Sequence, residues 1–260
     1  MKAINAALWA EFMKIKRSAI LWITISLFAF IPIMMGLMIY VLRHPELHDK
    51  LGLIAAKASL FGAADWEAFF GLLLQLIATI GLIGFGFVTA WVFGREYTER
   101  TMKDILVLPV SRATIVMAKF SVVFCWCTLL TIILLLSGLL SGKIVGISGW
   151  SPEILKAGVF KYFVTAFLTV LLSTPVAFFA CVGRGIIAPI GFSILTMILA
   201  QFIAVAGLGA FFPWAIPGLY TVPAGTEGMQ LYGSSYVILA ATSILGYLAT
   251  LYWYRFADQH

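Results

Sequence analysis

The residue groupings that could carry chemistry are few, and most resolve into turns or packing. His44 and His48 stand four apart beside Glu46 and Asp49, a spacing that on one helical face could hold a metal ion. Pro45 interrupts that face, so a solvated loop is the expectation. Gly146-Ile147-Ser148-Gly149 has the form of an intramembrane serine nucleophile. That chemistry needs a base, and no apolar run contains a histidine. Gly81-Leu82-Ile83-Gly84-Phe85-Gly86 reverses the order of a dinucleotide fingerprint and lies inside an apolar run, which points to close helix packing. Gly142-Lys143 is followed by Ile144 and lacks the leading glycine of a phosphate loop, so this chain is not expected to bind ATP by that route. Cys125, Cys127 and Cys181 all fall in apolar runs and imply no disulfide framework.

Two segments outside the apolar runs are informative. Gly94–Lys119 reads GREYTERTMKDILVLPVSRATIVMAK, in which Glu96–Arg100 and Glu99–Lys103 are opposite-charge pairs at helical spacing. Pro109 would stop that short helix, and Ser111 can cap the next one. Glu96, Glu99, Arg100 and Lys103 are therefore expected on a short helix against the membrane face, a docking surface for something soluble. Near the N-terminus, Ile4, Leu8, Phe12 and Ile15 share one helical stripe, while Lys14, Lys16 and Arg17 lie elsewhere. That pattern suits an interfacial helix, with a plain basic anchor as the alternative.

The elements that must position these residues follow from composition. The 260 residues are 62% apolar and 11% charged, with a mean hydropathy of +1.05. Soluble chains are about 45–50% apolar and about 25% charged, so a soluble globular domain is excluded. Six apolar runs approach or exceed the roughly 20 residues a membrane-spanning helix needs. They cover about 19–42, 68–93, 120–140, 162–182, 186–212 and 234–256. The first is too long for the apolar core of a cleavable signal peptide. Pro32 and Thr174-Pro175 predict kinks, and Gly183-Arg184-Gly185 a tight turn between the fourth and fifth runs. The expected fold is an all-α integral membrane protein, residues 1–260 forming a single domain of six transmembrane helices.

Basic residues orient it. With the N-terminus inside, Lys2, Lys14, Lys16, Arg17, Arg95, Arg100, Lys103, Arg112, Lys119, Arg184 and Arg255 are internal, eleven in all. Arg43, Lys50, Lys57, Lys143, Lys156 and Lys161, six in all, are external. This asymmetry predicts a multi-pass protein with both termini cytoplasmic. No basic cluster lies away from a span-flanking position, which speaks against nucleic acid. The apolar runs hold no Asp, Glu or His, whereas ion-coupled carriers need buried ionisable groups. Gln75 and Gln201 are the notable mid-run polar residues. Hydrogen bonding to a neighbouring helix is the expected role, and a translocation path would also accept them.

The segment after the second run resembles the ABC-2 type permeases, the membrane subunits of a class of ABC exporters. Their pattern of a Glu, a small-Thr pair, a Leu-rich turn, Pro-x-Ser-Arg and a Lys is matched by Glu96, Thr101, Ile105-Leu106, Pro109-Val110-Ser111-Arg112 and Lys119. The residue before Thr101 is often glycine in the family and is Arg100 here. Glu11-Phe12-Met13-Lys14-Ile15-Lys16-Arg17-Ser18 resembles the family's Glu-x-x-Lys-basic entry to the first helix, marking Glu11, Lys14 and Arg17. The compact form is similar to bacitracin- and lantibiotic-immunity permeases and to related multidrug or sodium exporters.

The resemblance implies a coupling helix within Gly94–Arg112 that fits a groove on a separate ATPase. Two permeases would face each other above two ATPases, which would bind ATP and magnesium; this chain would carry no cofactor and no catalytic residue. Phe212–Tyr232, with Pro213, Trp214, Pro217 and Tyr220, resembles the family's outer re-entrant element. Two other classes compete: a membrane enzyme acting on lipid, against which the loop carboxylates show no acid–base spacing, and a non-transporting anchor or sensor for a partner ATPase.

Overall fold

The computed structural model describes residues 2–44, 65–102, 110–223, 226 and 230–256. Helix α1 (Lys2–Lys16) precedes six helices or helix pairs long and apolar enough to cross a membrane. These are α2 (Ala19–Arg43), α3 (Trp66–Thr98), α4 (Arg112–Val145), the broken pair α5 (Pro152–Leu171) and α6 (Ser173–Val182), α7 (Ile187–Val205) and α9 (Gly233–Phe256). The short α8 (Ile216–Thr221) precedes α9. The described residues form no β-strand beyond one isolated bridge, Asp65–Ser148. The protein is an all-α membrane protein, as its composition implies.

Polar side chains start the helices. Ser18, Asp65, Ser111 and Ser151 each accept a hydrogen bond from a backbone N–H of the first turn of α2, α3, α4 and α5. Gly146 ends α4 in the left-handed region, at φ +68°. The Gly146–Gly149 segment is thus a helix-ending turn. Pro32 lies within an unbroken α2. The other expected kink is a full break: Pro175 has no N–H for the Leu171 carbonyl, which instead accepts from Thr174 Oγ1 at 3.0 Å. The fifth span ends at Val205, seven residues before the hydropathy boundary. Gly207, at φ +77°, turns the chain there, and two short 3₁₀ turns follow.

Helix α3 is the centre of the bundle, packed against α4, α5, α6 and α7; α2 lies on α4, and α9 on α6 and α4. The glycines inside α3 make these contacts possible. A Cβ on Gly84 would enter the Phe28 ring, and one on Gly86 would collide with Ser193. The core gathers Phe28, Phe69, Phe85, Leu130, Leu134 and Tyr162 around α3.

The 33 residues of α3 extend about 50 Å, well beyond a hydrocarbon core about 30 Å thick. Its last turns and the first turns of α4 stand at one end of the bundle, and α1 packs across α4 there.

Candidate functional site

Glu96 is not on a separate short helix: it sits in the last turns of α3, and its side chain is buried. Its Oε1 accepts from Lys14 Nζ of α1 at 2.8 Å and from Lys119 Nζ of α4 at 2.7 Å. Lys14 also pairs with Glu11 at 2.6 Å, and Lys119 reaches the second oxygen of Glu11 at 3.4 Å. Two carboxylates and two ammoniums thus form a neutral quartet joining three helices. Lys119 is fully buried, and it donates further to the Val92 carbonyl at 2.9 Å. A buried charge costs several kcal/mol unless paired, so each member is retained by the others. Burial alone would lower the Lys14 pKa. The charges of Glu96 and Glu11 and their hydrogen bonds outweigh it, holding the ammonium above its ordinary range.

This arrangement redefines α1. Its inward stripe includes Glu11 and Ile15, whereas Phe12 and Trp9 are exposed. The expected stripe loses Phe12, because the ion quartet turns Glu11 toward the bundle. Glu96–Arg100 is not formed either: Glu96 is held by the lysines, and the exposed pair is Arg95–Glu99 at 2.7 Å.

The end of α3 explains the Thr101 motif. Thr101 N–H donates to the Glu96 carbonyl at 3.0 Å and Arg100 N–H to the Tyr97 carbonyl at 3.2 Å. These are the two bonds of a Schellman motif, with Arg100 at φ +58°. That is the backbone conformation glycine favours. Ser111 accepts from the Thr114 N–H at 3.2 Å and starts α4. Arg112 donates from Nη1 to the carbonyls of Tyr254 (3.0 Å) and Arg255 (3.1 Å), capping the end of α9. It therefore serves intramolecular packing. Lys103 and Pro109 lie outside the described residues. Arg17 is exposed at the α1–α2 junction.

Gln75 and Gln201 meet at a second location. Both line a cavity of about 180 Å³, with Thr79, Trp214 and Thr221 among its walls. Neither side chain makes a hydrogen bond to a neighbouring helix among the described residues, a departure from the expected role; both are exposed. Along α3, Gln75 and Glu96 are separated by a rise of about 32 Å, so the glutamine-bordered cavity and the ion quartet stand far apart along the bundle. Trp214 and α8 come from the aromatic segment before the last span, and α8 packs on α3 and α5.

Lys119 is the residue whose importance sequence reasoning understated. A lysine opening an apolar run reads as a span boundary, and the carboxylates that bury it lie 23 and 108 residues away.

Residues 7–202 match the family described as ABC-2 family transporter protein. The chain is similar to the bacitracin transport permease protein BCRB of Bacillus licheniformis, 29% identical over 197 residues that cover 75% of this chain and 93% of the relative. No solved structure matches it significantly. The matched region holds Glu11, Lys14, Glu96 and Lys119 together with the first four spans and most of the fifth, and on that basis the chain belongs to the ABC-2 family of transporter permeases.

Proposed function

We propose that this permease forms the translocation path of an ATP-driven exporter and is driven by a separate ATP-binding subunit through the end of the bundle that carries the ion quartet. The observation that supports this most is the convergence of Glu11, Lys14, Glu96 and Lys119 from three helices. The chain between α3 and α4 leaves the bundle beside that quartet, starting from Glu99 and Arg100. A push on this connection reaches α1, α3 and α4 together, because moving one alone would strand a buried charge. The docking surface accordingly starts from Glu99 and Arg100, both exposed. Glu96 is an internal strut.

In the assembly two copies of this chain face each other over two ATPase subunits, which hold ATP and magnesium. It sits in the cell membrane with both termini cytoplasmic, as the basic asymmetry suggests. Gln75 and Gln201 line the path at the far end. The relative's name supplies the first probe, bacitracin. Co-expression with the cognate ATPase should raise bacitracin tolerance of a sensitive host, and the complex in liposomes should move the peptide when ATP is added. Substrate-stimulated ATP hydrolysis without movement would instead identify a sensor, and hydrolysis by the permease alone would overturn the assignment.

A further inference from the structure

Two cavities flank α1, one polar and one apolar, and Trp9 borders both. The polar one, about 540 Å³, is lined by Lys14, Arg17, Ser18, Trp91, Arg95 and Glu99 among others. The apolar one, about 570 Å³, runs between α1, α2 and α4, past Phe12, Leu21, Cys125 and Leu129, with Lys16 at its wall.

The charges sort by what already neutralises them. Lys14 is held by Glu11 and Glu96, and Arg95 by Glu99 while it lies over the Trp91 ring at 5.0 Å. Lys16 and Arg17 make no ion pair among the described residues, and both are exposed. One borders the apolar groove and the other the polar cavity. Trp9 stands between, largely exposed, as tryptophans do at membrane–water interfaces.

We propose that α1 and its two flanking cavities form a binding site for one anionic glycerophospholipid, whose phosphate headgroup enters the polar cavity while an acyl chain lies in the apolar groove. Arg17 supplies the unpaired cation for the phosphate, Lys16 adds charge from the groove side, and Trp9 packs at the junction of headgroup and chain. A soluble anion would use the polar cavity alone. The adjoining apolar groove of similar size and the position of α1 beside the span ends favour a lipid. The interaction is independent of what the bundle transports.

Binding of dioleoyl phosphatidylglycerol and dioleoyl phosphatidylcholine to the detergent-purified full chain, counted by native mass spectrometry, tests this. Each cation near an anionic headgroup is worth about fivefold in affinity, so K16Q/R17Q should weaken phosphatidylglycerol binding roughly 25-fold and weaken phosphatidylcholine, whose choline offsets its phosphate, much less. K143Q/K156Q, which removes two exposed cations elsewhere, should bind like the wild type. Cys125→Trp fills the groove and should weaken the dioleoyl lipid while sparing dihexanoyl phosphatidylglycerol. A thermal melt of each variant verifies folding. Equal binding of the two headgroups, equal loss in the two double variants, or displacement of the lipid by millimolar inorganic phosphate would overturn the proposal.

Discussion

Lys119 Nζ of α4 lies 2.7 Å from Glu96 Oε1 of α3, and neither side chain is open to solvent. The same carboxylate oxygen holds Lys14 of α1, so one residue ties a peripheral helix to two spanning ones. Because the pairing is buried, its consequences are structural as well as functional.

Removing one partner should therefore be severe. Lys119→Met leaves two carboxylates facing a single lysine, and should cost about 3–5 kcal/mol of stability. Glu96→Lys would gather three ammoniums and should prevent accumulation of a folded permease. Glu99→Lys, at an exposed position paired only with Arg95, should change stability by no more than about 1 kcal/mol. Thermal unfolding in detergent separates the three. Similar melting of the Glu96→Lys and Glu99→Lys variants would contradict the buried quartet.

Arg100 occupies a left-handed backbone position at which a side chain is strained. Arg100→Gly should raise stability by roughly 1 kcal/mol, seen as a higher melting temperature. A lower one would mean that the Arg100 side chain contributes more than its backbone costs.

The cavity bordered by Gln75 and Gln201 predicts a separation of functions. Gln75→Leu with Gln201→Leu should leave assembly with the ATPase and its basal hydrolysis intact, because both residues stand at the end of the bundle away from the ion quartet. Peptide movement in liposomes should fall at least tenfold. Unchanged movement would remove both residues from the translocation path.

Orientation can be read directly from exposed positions. In a cysteine-free background, a single cysteine at Lys156 should react with a membrane-impermeant maleimide on intact cells. One at Arg184, in the turn between α6 and α7, should react only after permeabilisation. The reverse pattern would invert the topology.

Hydropathy located all six spans because the free energy of entering a bilayer is summed over contiguous residues, and contiguity is what a sequence displays. The interior of each run was legible, along with the Ser111 cap, the Pro175 break and the close-packing glycines of α3. The ends were less so. Arg95, Glu96 and Lys119 looked like flanking charges, yet α3 and α4 continue through them as regular helix, because their polar ends are matched by partners rather than by water. Those partners are distant: Lys14 is 82 residues from Glu96, and Glu11 is 108 from Lys119. Local spacing favoured Glu96–Arg100, a pairing along the helix surface. Packing instead turned Glu96 inward, where a pair shielded from water is stronger and an unpaired charge is intolerable. The same holds for Gln75 and Gln201, two isolated amides until α3 and α7 set them around one cavity. Contiguous apolar residues were enough to place six helices long enough to span a membrane and the interior of each. Only the packing of helices decided which charges face each other, because pairing depends on distance in space.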